Sequence, residues 1–145
     1  MNPPTTRVVV VERRVPHSLD KVWRALTQAP LLEDWLMANE FAPVVGHHFT
    51  FHMPPMEGWN GVTDGEVLSV VPQAELSYTW NASGDEAADG LKTVVTWTLE
   101  QQADGVLVRM EQSGFRPQDQ RNEMGAKYGW ERNLGRLEAV VAELA

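Results

Sequence analysis

The chain has 145 residues, no cysteine, and a net charge of −8 from 12 basic and 20 acidic residues. A chain of this length can bury a sizeable core, and the lack of cysteine excludes disulfides, thiolate metal ligands and a cysteine nucleophile. The negative charge argues against nucleic acid or an anionic membrane as a partner, because each would repel the protein.

No apolar run is long enough to cross a membrane, and the opening MNPPTTR lacks the apolar segment of a signal peptide. We therefore expect a cytoplasmic protein of bacterial type. Residues 1–145 are predicted to form one domain, in which residues 1–6 are flexible. Six tryptophans in so short a chain are unusual, and tryptophan favours cores with polar edges, pockets and interfaces.

The first third of the chain predicts one strand and two helices. RVVVVERRV is typical of a strand because it is rich in β-branched residues. PHSLDKVWRALTQ predicts a helix that Ser18 caps, with Val22 and Leu26 on its apolar side. PLLEDWL predicts a second, short helix with Pro30 in its first turn.

The middle of the chain predicts a run of antiparallel strands, because the connections have hairpin length. FAPVVGHHFTFHM indicates a hairpin with Gly46 at its turn. The strands that follow it are VTDGEVLSVV, ELSYTW, LKTVVTWTLEQ and VLVRMEQSGF. The alternate residues expected to share the sheet face toward the last helix are Phe49, Phe51, Met53, Leu76, Tyr78, Trp80, Val95, Trp97, Leu99, Val108 and Met110.

Two polar positions in these strands bear on function. In VTDGEVLSVV we predict that Gly65 and Val67 face inward, because the opposite phase would bury a carboxylate at Glu66. That opposite phase would make Glu66 a catalytic candidate. Gln112 continues the inward phase after Met110, and a buried amide needs a hydrogen-bond partner. A ligand would supply that partner if the face lines a cavity, and water would supply it at an exposed strand end.

A long helix is predicted from about Gln118 to Leu144. Its apolar stripe consists of Trp130, Leu134, Leu137, Val141 and Leu144. Gly125 and Gly129 each cost the helix about 1 kcal/mol relative to alanine. Close approach of the helix to a neighbour, or local flexibility, would explain them. Together the elements indicate an α+β helix grip, a curved antiparallel sheet of about six to seven strands wrapped around the C-terminal helix, with two short helices after the first strand.

Four stretches resemble a known family: VWRALTQAPLLEDWL, GEVLSVVPQAELSYTW, VTWTLEQQADGVLVRMEQSGF and GWERNLGRLEAVV. They are similar to the START-like, birch-allergen-like helix-grip superfamily (SRPBCC), in the branch named after the activator of the heat-shock-ninety ATPase. The resemblance implies a cavity between sheet and helix that in relatives takes lipids, hormones, polyketides or aromatic compounds. It also implies that the start of the long helix lies over the cavity mouth, where Met124 and Tyr128 would contact a ligand.

The sheet face toward the long helix therefore has two interpretations: it is a packed core, or it lines a cavity. The candidate ligand-binding residues are Phe49, Phe51, Met53, Trp59, Tyr78, Trp80, Trp97, Met110, Gln112, Met124 and Tyr128. We expect no metal, because His47 and His48 point to opposite faces of a strand and His48 and His52 lie roughly 13 Å apart. No cofactor is expected, and no catalytic motif identifies catalytic residues.

Three functions follow as hypotheses. The first is a noncatalytic binding protein for a small apolar or aromatic molecule, oriented by Tyr78, Trp97 and Gln112. The second is an enzyme of the cyclase or hydrolase kind that uses the same cavity. The third is a cochaperone that stimulates a chaperone ATPase through an exposed apolar patch. Either a monomer or a homodimer is compatible with the sequence.

Overall fold

The computed structural model describes residues 6–57 and 59–144. The predicted flexibility of residues 1–6 lies outside the described residues, except at Thr6. The strands are β1 Arg7–Val15, β2 Ala38–Asn39, β3 His48–His52, β4 Val62–Val71, β5 Glu75–Ala82, β6 Lys92–Gln102 and β7 Gly105–Phe115. The helices are α1 Leu19–Thr27, α2 Ala29–Trp35 and α3 Gln120–Ala142, with short 3₁₀ turns at Gly84–Glu86 and Pro117–Asp119.

The described strands form one antiparallel sheet in the order β1-β7-β6-β5-β4-β3-β2. Each strand from β2 to β6 pairs with the strand that follows it in sequence, and β1 pairs with β7. Strands β1 and β2 are therefore the two edges of the sheet. The long helix α3 packs against β1, β7 and the two short helices. This arrangement confirms the predicted α+β helix grip.

Local sequence explains where several elements begin. The Ser18 hydroxyl accepts a hydrogen bond from the Lys21 backbone N–H at 3.3 Å and so caps α1. The predicted inward phase of β4 is confirmed, since Val67 is 1% exposed and Gly65 is buried. A Cβ atom at Gly65 would lie 2.5 Å from the ring of Phe49. Only glycine leaves room there for the aromatic ring.

The hairpin predicted before β3 is wrong in its first half. Of the residues before β3, only Ala38–Asn39 pairs with it, and residues 40–47 form a loop. Phe41 leaves the sheet register and buries its ring at 5.1 Å from that of Phe49. Gly46 does occupy the predicted turn, with φ +87°, a conformation that favours glycine.

The predicted inward position of Met53 is also wrong. Strand β3 ends at His52, and Met53 is 41% exposed. Its backbone N–H donates to the carbonyl of Gly61 at 2.9 Å. The residue therefore lies past the end of the strand, where the alternation of sheet faces no longer applies.

Candidate functional site

The centre of the sheet face that meets α3 is a packed aromatic core. Phe49, Phe51 and Tyr78 contact one another with ring centroids 5.2 to 5.9 Å apart. The indole N–H of Trp97 donates to the hydroxyl of Tyr78 at 2.9 Å, and burial raises the pKa of Tyr78, although that bond opposes the shift. Trp97 also packs edge-on against Trp35 at 5.8 Å. These side chains fill the space between sheet and helices.

A cleft opens beside this core, between the first half of α3 and the β5–β6 side of the sheet. Its inner chamber has a volume of about 260 Å³, and its outer chamber has a volume of about 730 Å³. The two chambers share Met37, Trp80, Leu91, Asn122 and Gly125 as lining residues. They therefore form one continuous cleft.

The inner chamber is mainly apolar and has one buried polar side chain. The sheet side of its wall includes Trp80, Leu91, Gln112 and Phe115. Of these, Gln112 is 1% exposed and Phe115 is completely buried. Trp130 of α3 completes the wall and packs at 5.2 Å from Trp80. A ligand deep in this chamber would contact the indole rings of Trp80 and Trp130 and the amide of Gln112.

One face of α3 forms the helix side of the cleft. Asn122, Gly125, Gly129 and Asn133 lie along that face, because residues three or four positions apart share one side of a helix. A Cβ atom built at Gly125 or Gly129 would meet no heavy atom within 4 Å, apart from the nearest helix backbone. Close approach to another element, one explanation for these glycines, does not occur in the structure.

A directed chain of hydrogen bonds runs behind the inner chamber. The indole N–H of Trp130 donates to Oε1 of Gln112 at 2.8 Å. Nε2 of Gln112 donates to the hydroxyl of Thr93 at 2.9 Å, and that hydroxyl donates to the carbonyl of Trp80 at 2.7 Å. The amide of Gln112 is thus held in one orientation by residues of the cleft wall.

An ion pair fixes the outer edge of the cleft. Arg116 donates to both carboxylate oxygens of Asp119, at 2.8 and 2.9 Å. It also donates to the carbonyls of Asp89 and Gly90, at 2.9 and 3.0 Å. Hydrogen bonds from Arg116 hold the pKa of Asp119 below its usual range, although burial opposes this. Arg116 therefore ties the β5–β6 loop to the start of α3.

The charged residues of the cleft lie at its rim. Glu86 and Asp89 line the outer chamber and are exposed. Arg121, also exposed, is the one ionisable residue among those that line the inner chamber. Glu66, the alternative catalytic candidate, lies on the other sheet face, 3.7 Å from His48. Its side chain is 44% exposed, as expected from the confirmed strand phase.

The predicted ligand-binding residues fall into three groups. Those that line the cleft are Trp59, Trp80 and Gln112. Those that belong to the packed core instead are Phe49, Phe51, Tyr78, Trp97 and Met110. Those that are exposed away from the cleft are Met53, Met124 and Tyr128, the last two by 59% and 70%.

Met124 and Tyr128 each precede a glycine of the cleft by one position. One residue corresponds to about 100° of rotation on a helix. That rotation turns both side chains out of the cleft, while Gly125 and Gly129 face it. Sequence reasoning singled out these glycines but did not assign them to the site. Their common face with Asn122 and Asn133 is the signal that would have found them.

Comparisons with known proteins identify the family and similar structures. The family described as "Activator of Hsp90 ATPase homolog 1-like protein" matches residues 16–142. Protein MLL2253 from Mesorhizobium loti is 47% identical, with a TM-score of 0.85 over 96% of this chain and 99% of that one. Protein BH1534 from Bacillus halodurans is 24% identical, with a TM-score of 0.76 over 93% and 96% of the two chains.

A further neighbour is DynU16, a protein of the dynemicin biosynthetic locus. It is 25% identical to this chain, with a TM-score of 0.76. The match covers 94% of this chain but only 47% of DynU16. No curated protein matches the chain. Among the described helices, none is long and apolar enough to cross a membrane. The chain belongs to the family of proteins like the activator of Hsp90 ATPase homolog 1.

Proposed function

We propose that the protein is a noncatalytic binder of a small, mostly apolar or aromatic molecule, which it holds in the cleft beside α3. The observation that carries the proposal is the pair of glycines that leaves the helix side of the cleft open. Glycine in a helix interior costs about 1 kcal/mol relative to alanine. Among the described residues, no atom outside the nearby helix backbone lies within 4 Å of a Cβ built at Gly125 or Gly129, and a bound ligand would use that space.

The chemistry of the inner chamber supports an apolar or aromatic ligand. Trp80, Trp130 and Leu91 offer apolar surface, whose burial contributes about 25 cal/mol per Å² before the costs of association. Gln112 is the buried polar group that would orient the molecule. Tyr78 and Trp97 were predicted to share this role. Instead, Trp97 donates to the hydroxyl of Tyr78 inside the core, and neither residue lines the cleft, so we do not propose them as ligand contacts.

The distribution of ionisable groups favours binding over catalysis. No carboxylate or imidazole is found among the described residues that line the inner chamber. A general acid or base must reach the reacting atom to act, and Glu86 and Asp89 lie at the exposed rim. The structural likeness to a protein of a biosynthetic locus also supports a role with small molecules.

A cavity-filling variant tests the proposal. Gly129→Leu places a side chain in the open inner chamber, and Gly135→Leu adds the same side chain to α3 outside the cleft, where the nearest atom to a new Cβ is Nη1 of Arg13 at 3.8 Å. We would titrate each protein with 1-tetralone, a neutral bicyclic ketone, and follow two-dimensional ¹H–¹⁵N NMR spectra.

We expect the wild type and Gly135→Leu to bind the ketone with shifts at the indole N–H of Trp80 and Trp130. Gly129→Leu should remain folded and show these shifts only at concentrations more than tenfold higher. Equal binding by all three proteins would show that the ketone binds outside the cleft. Native mass spectrometry of the wild type as purified, followed by extraction, would identify any molecule that the cell itself supplies.

A second candidate function is activation of a chaperone ATPase. One observation favours it besides the family: Val8, Val10 and Met124 are 41 to 59% exposed and line a shared groove between β1 and α3. Exposed apolar patches often mark protein interaction sites. The test is the ATPase rate of an Hsp90-type chaperone with and without this protein. No rise in that rate would exclude this function.

A further inference from the structure

The hydrogen bonds of Gln112 determine which atom of its buried amide is offered to a ligand. An indole N–H can donate a hydrogen bond but cannot accept one. Because Trp130 donates to Gln112, the atom of Gln112 at that position must be the amide oxygen. The reverse orientation would point two donors at each other and leave the buried indole N–H without a partner. The amide nitrogen therefore lies on the side of Thr93.

The amide nitrogen carries two hydrogens, of which the structure accounts for one. That hydrogen is donated to Thr93, whose hydroxyl passes its own hydrogen to the carbonyl of Trp80. For the second hydrogen, the described residues provide no acceptor. Gln112 is 1% exposed and lines the inner chamber. A buried donor without a partner destabilises a protein, so this position favours a ligand that accepts a hydrogen bond.

We infer that Gln112 donates a hydrogen bond into the inner chamber, and that the ligand is a neutral aromatic compound with an acceptor oxygen or nitrogen at its inner end. The inference rests on the proposed function of the cleft. A neutral acceptor fits better than a carboxylate because the buried lining residues Gln112, Phe115 and Trp130 are uncharged, whereas Arg121 lies at the exposed rim. Burying an ion there would cost far more than one amide donor returns.

A matched pair of compounds tests the inference. 1-Tetralone carries a carbonyl group, and 1-methylenetetralin has the same two rings with a methylene group in place of the oxygen. We expect the wild type to bind the ketone about three- to tenfold more tightly, the usual net effect of one hydrogen bond. The side-chain N–H₂ resonances of Gln112 should shift with the ketone and much less with the hydrocarbon.

Gln112→Met removes the donor and keeps a side chain of similar length. The preference for the ketone should disappear in this variant, with the hydrocarbon bound about as well as by the wild type. If the variant fails to fold because Trp130 and Thr93 lose their partner, the Gln112 resonances of the wild type still decide the question. A preference that persists in a folded Gln112→Met protein would overturn the inference.

The remaining outcomes separate this inference from the proposed function. Equal affinity for both compounds, no shift at Gln112 and loss of binding in Gly129→Leu would overturn the donor role and leave the cleft as the binding site. If neither compound binds the wild type, the inference is overturned. The proposed function then has no support from these two compounds.

Discussion

The two halves of α3 face the same sheet but meet it differently. In the C-terminal half, Leu134, Leu137 and Val141 are at most 1% exposed and fill the space toward β1 and the short helices. In the N-terminal half, Gly125 and Gly129 face a cleft, and a Cβ built at either would meet no described atom within 4 Å beyond the nearby helix backbone. The side chains on one helix thus decide whether the interface with the sheet is packed or open.

Strand β5 shows the same division from the side of the sheet. Tyr78 and Trp80 lie on one face, two positions apart, as their spacing predicts. Tyr78 is 2% exposed and is enclosed by aromatic rings, whereas Trp80 is half-buried and lines both chambers of the cleft. On the same face of one strand, Tyr78 therefore belongs to the packed core and Trp80 to the wall of the cleft.

The largest expected effect lies in the packed half. Leu137 is completely buried, so Leu137→Ala removes apolar contacts and leaves a cavity. We expect the free energy of unfolding to fall by about 2 to 5 kcal/mol, measured by urea denaturation. Ala139→Ser, at an exposed position of the same half, is the control and should change it by less than about 0.5 kcal/mol. A loss near zero for Leu137→Ala would show that this half is loosely packed.

An intermediate effect is expected at the junction that joins the two regions. Asp119→Asn removes the charge that Arg116 binds while keeping the shape of the side chain. Hydrogen bonds to charged groups contribute about 1.5 to 3 kcal/mol each, and we expect a loss within this range at pH 7. Asp85→Asn, at an exposed position of the β5–β6 loop, is the control and should leave stability nearly unchanged.

The contribution of Asp119 to the free energy of unfolding should decrease as the pH falls. The pKa of Asp119 is lower in the folded protein, because of the bonds from Arg116. Its contribution is therefore complete above the pKa of an unfolded aspartate, about 3.9, and is lost as the pH falls through the folded value. The stability difference between wild type and Asp119→Asn should shrink over that window. A difference that is constant from pH 7 to pH 2 would contradict the charged role of Asp119.

The smallest effect, with the opposite sign, is expected in the open half. Gly129→Ala adds a methyl group that would meet no described atom within 4 Å beyond the nearby helix backbone, so stability should rise by about 0.5 to 1 kcal/mol through helix propensity. Gly135→Ala, outside the cleft on the same helix, should rise by a similar amount. Thermal unfolding by circular dichroism measures both. A loss of stability in Gly129→Ala alone would mean that the cleft is closed in solution.

Most of the fold could be predicted because local patterns specify it. The β-branched and alternating segments give the strands, and the stripe from Trp130 to Val141 gives the long helix. The errors lie where the chain leaves regular structure. Phe41 and Met53 follow a strand-like alternation in sequence, but one packs from a loop and the other lies past a strand end.

The site could be predicted only in part. Strand phase predicts that Trp80 and Gln112 face α3, and both line the cleft together with Trp59. Met124 and Tyr128 are exposed outside the cleft, because an amphipathic stripe predicts which face of a helix is buried but not which of the other faces borders a cleft. The amide orientation of Gln112 depends on Trp130 and Thr93, which are distant in sequence.

The sequence by itself determined the order of elements, the inward phase of β4 and the buried stripe of α3. Each of these follows from periodicity or from the local cost of burying a charge. Only the tertiary structure decided which part of the inward face is filled. The reason is that packing at one position depends on side chains from other elements: Tyr78 meets Phe49 and Phe51, while Trp80 borders a space that Gly125 and Gly129 leave empty.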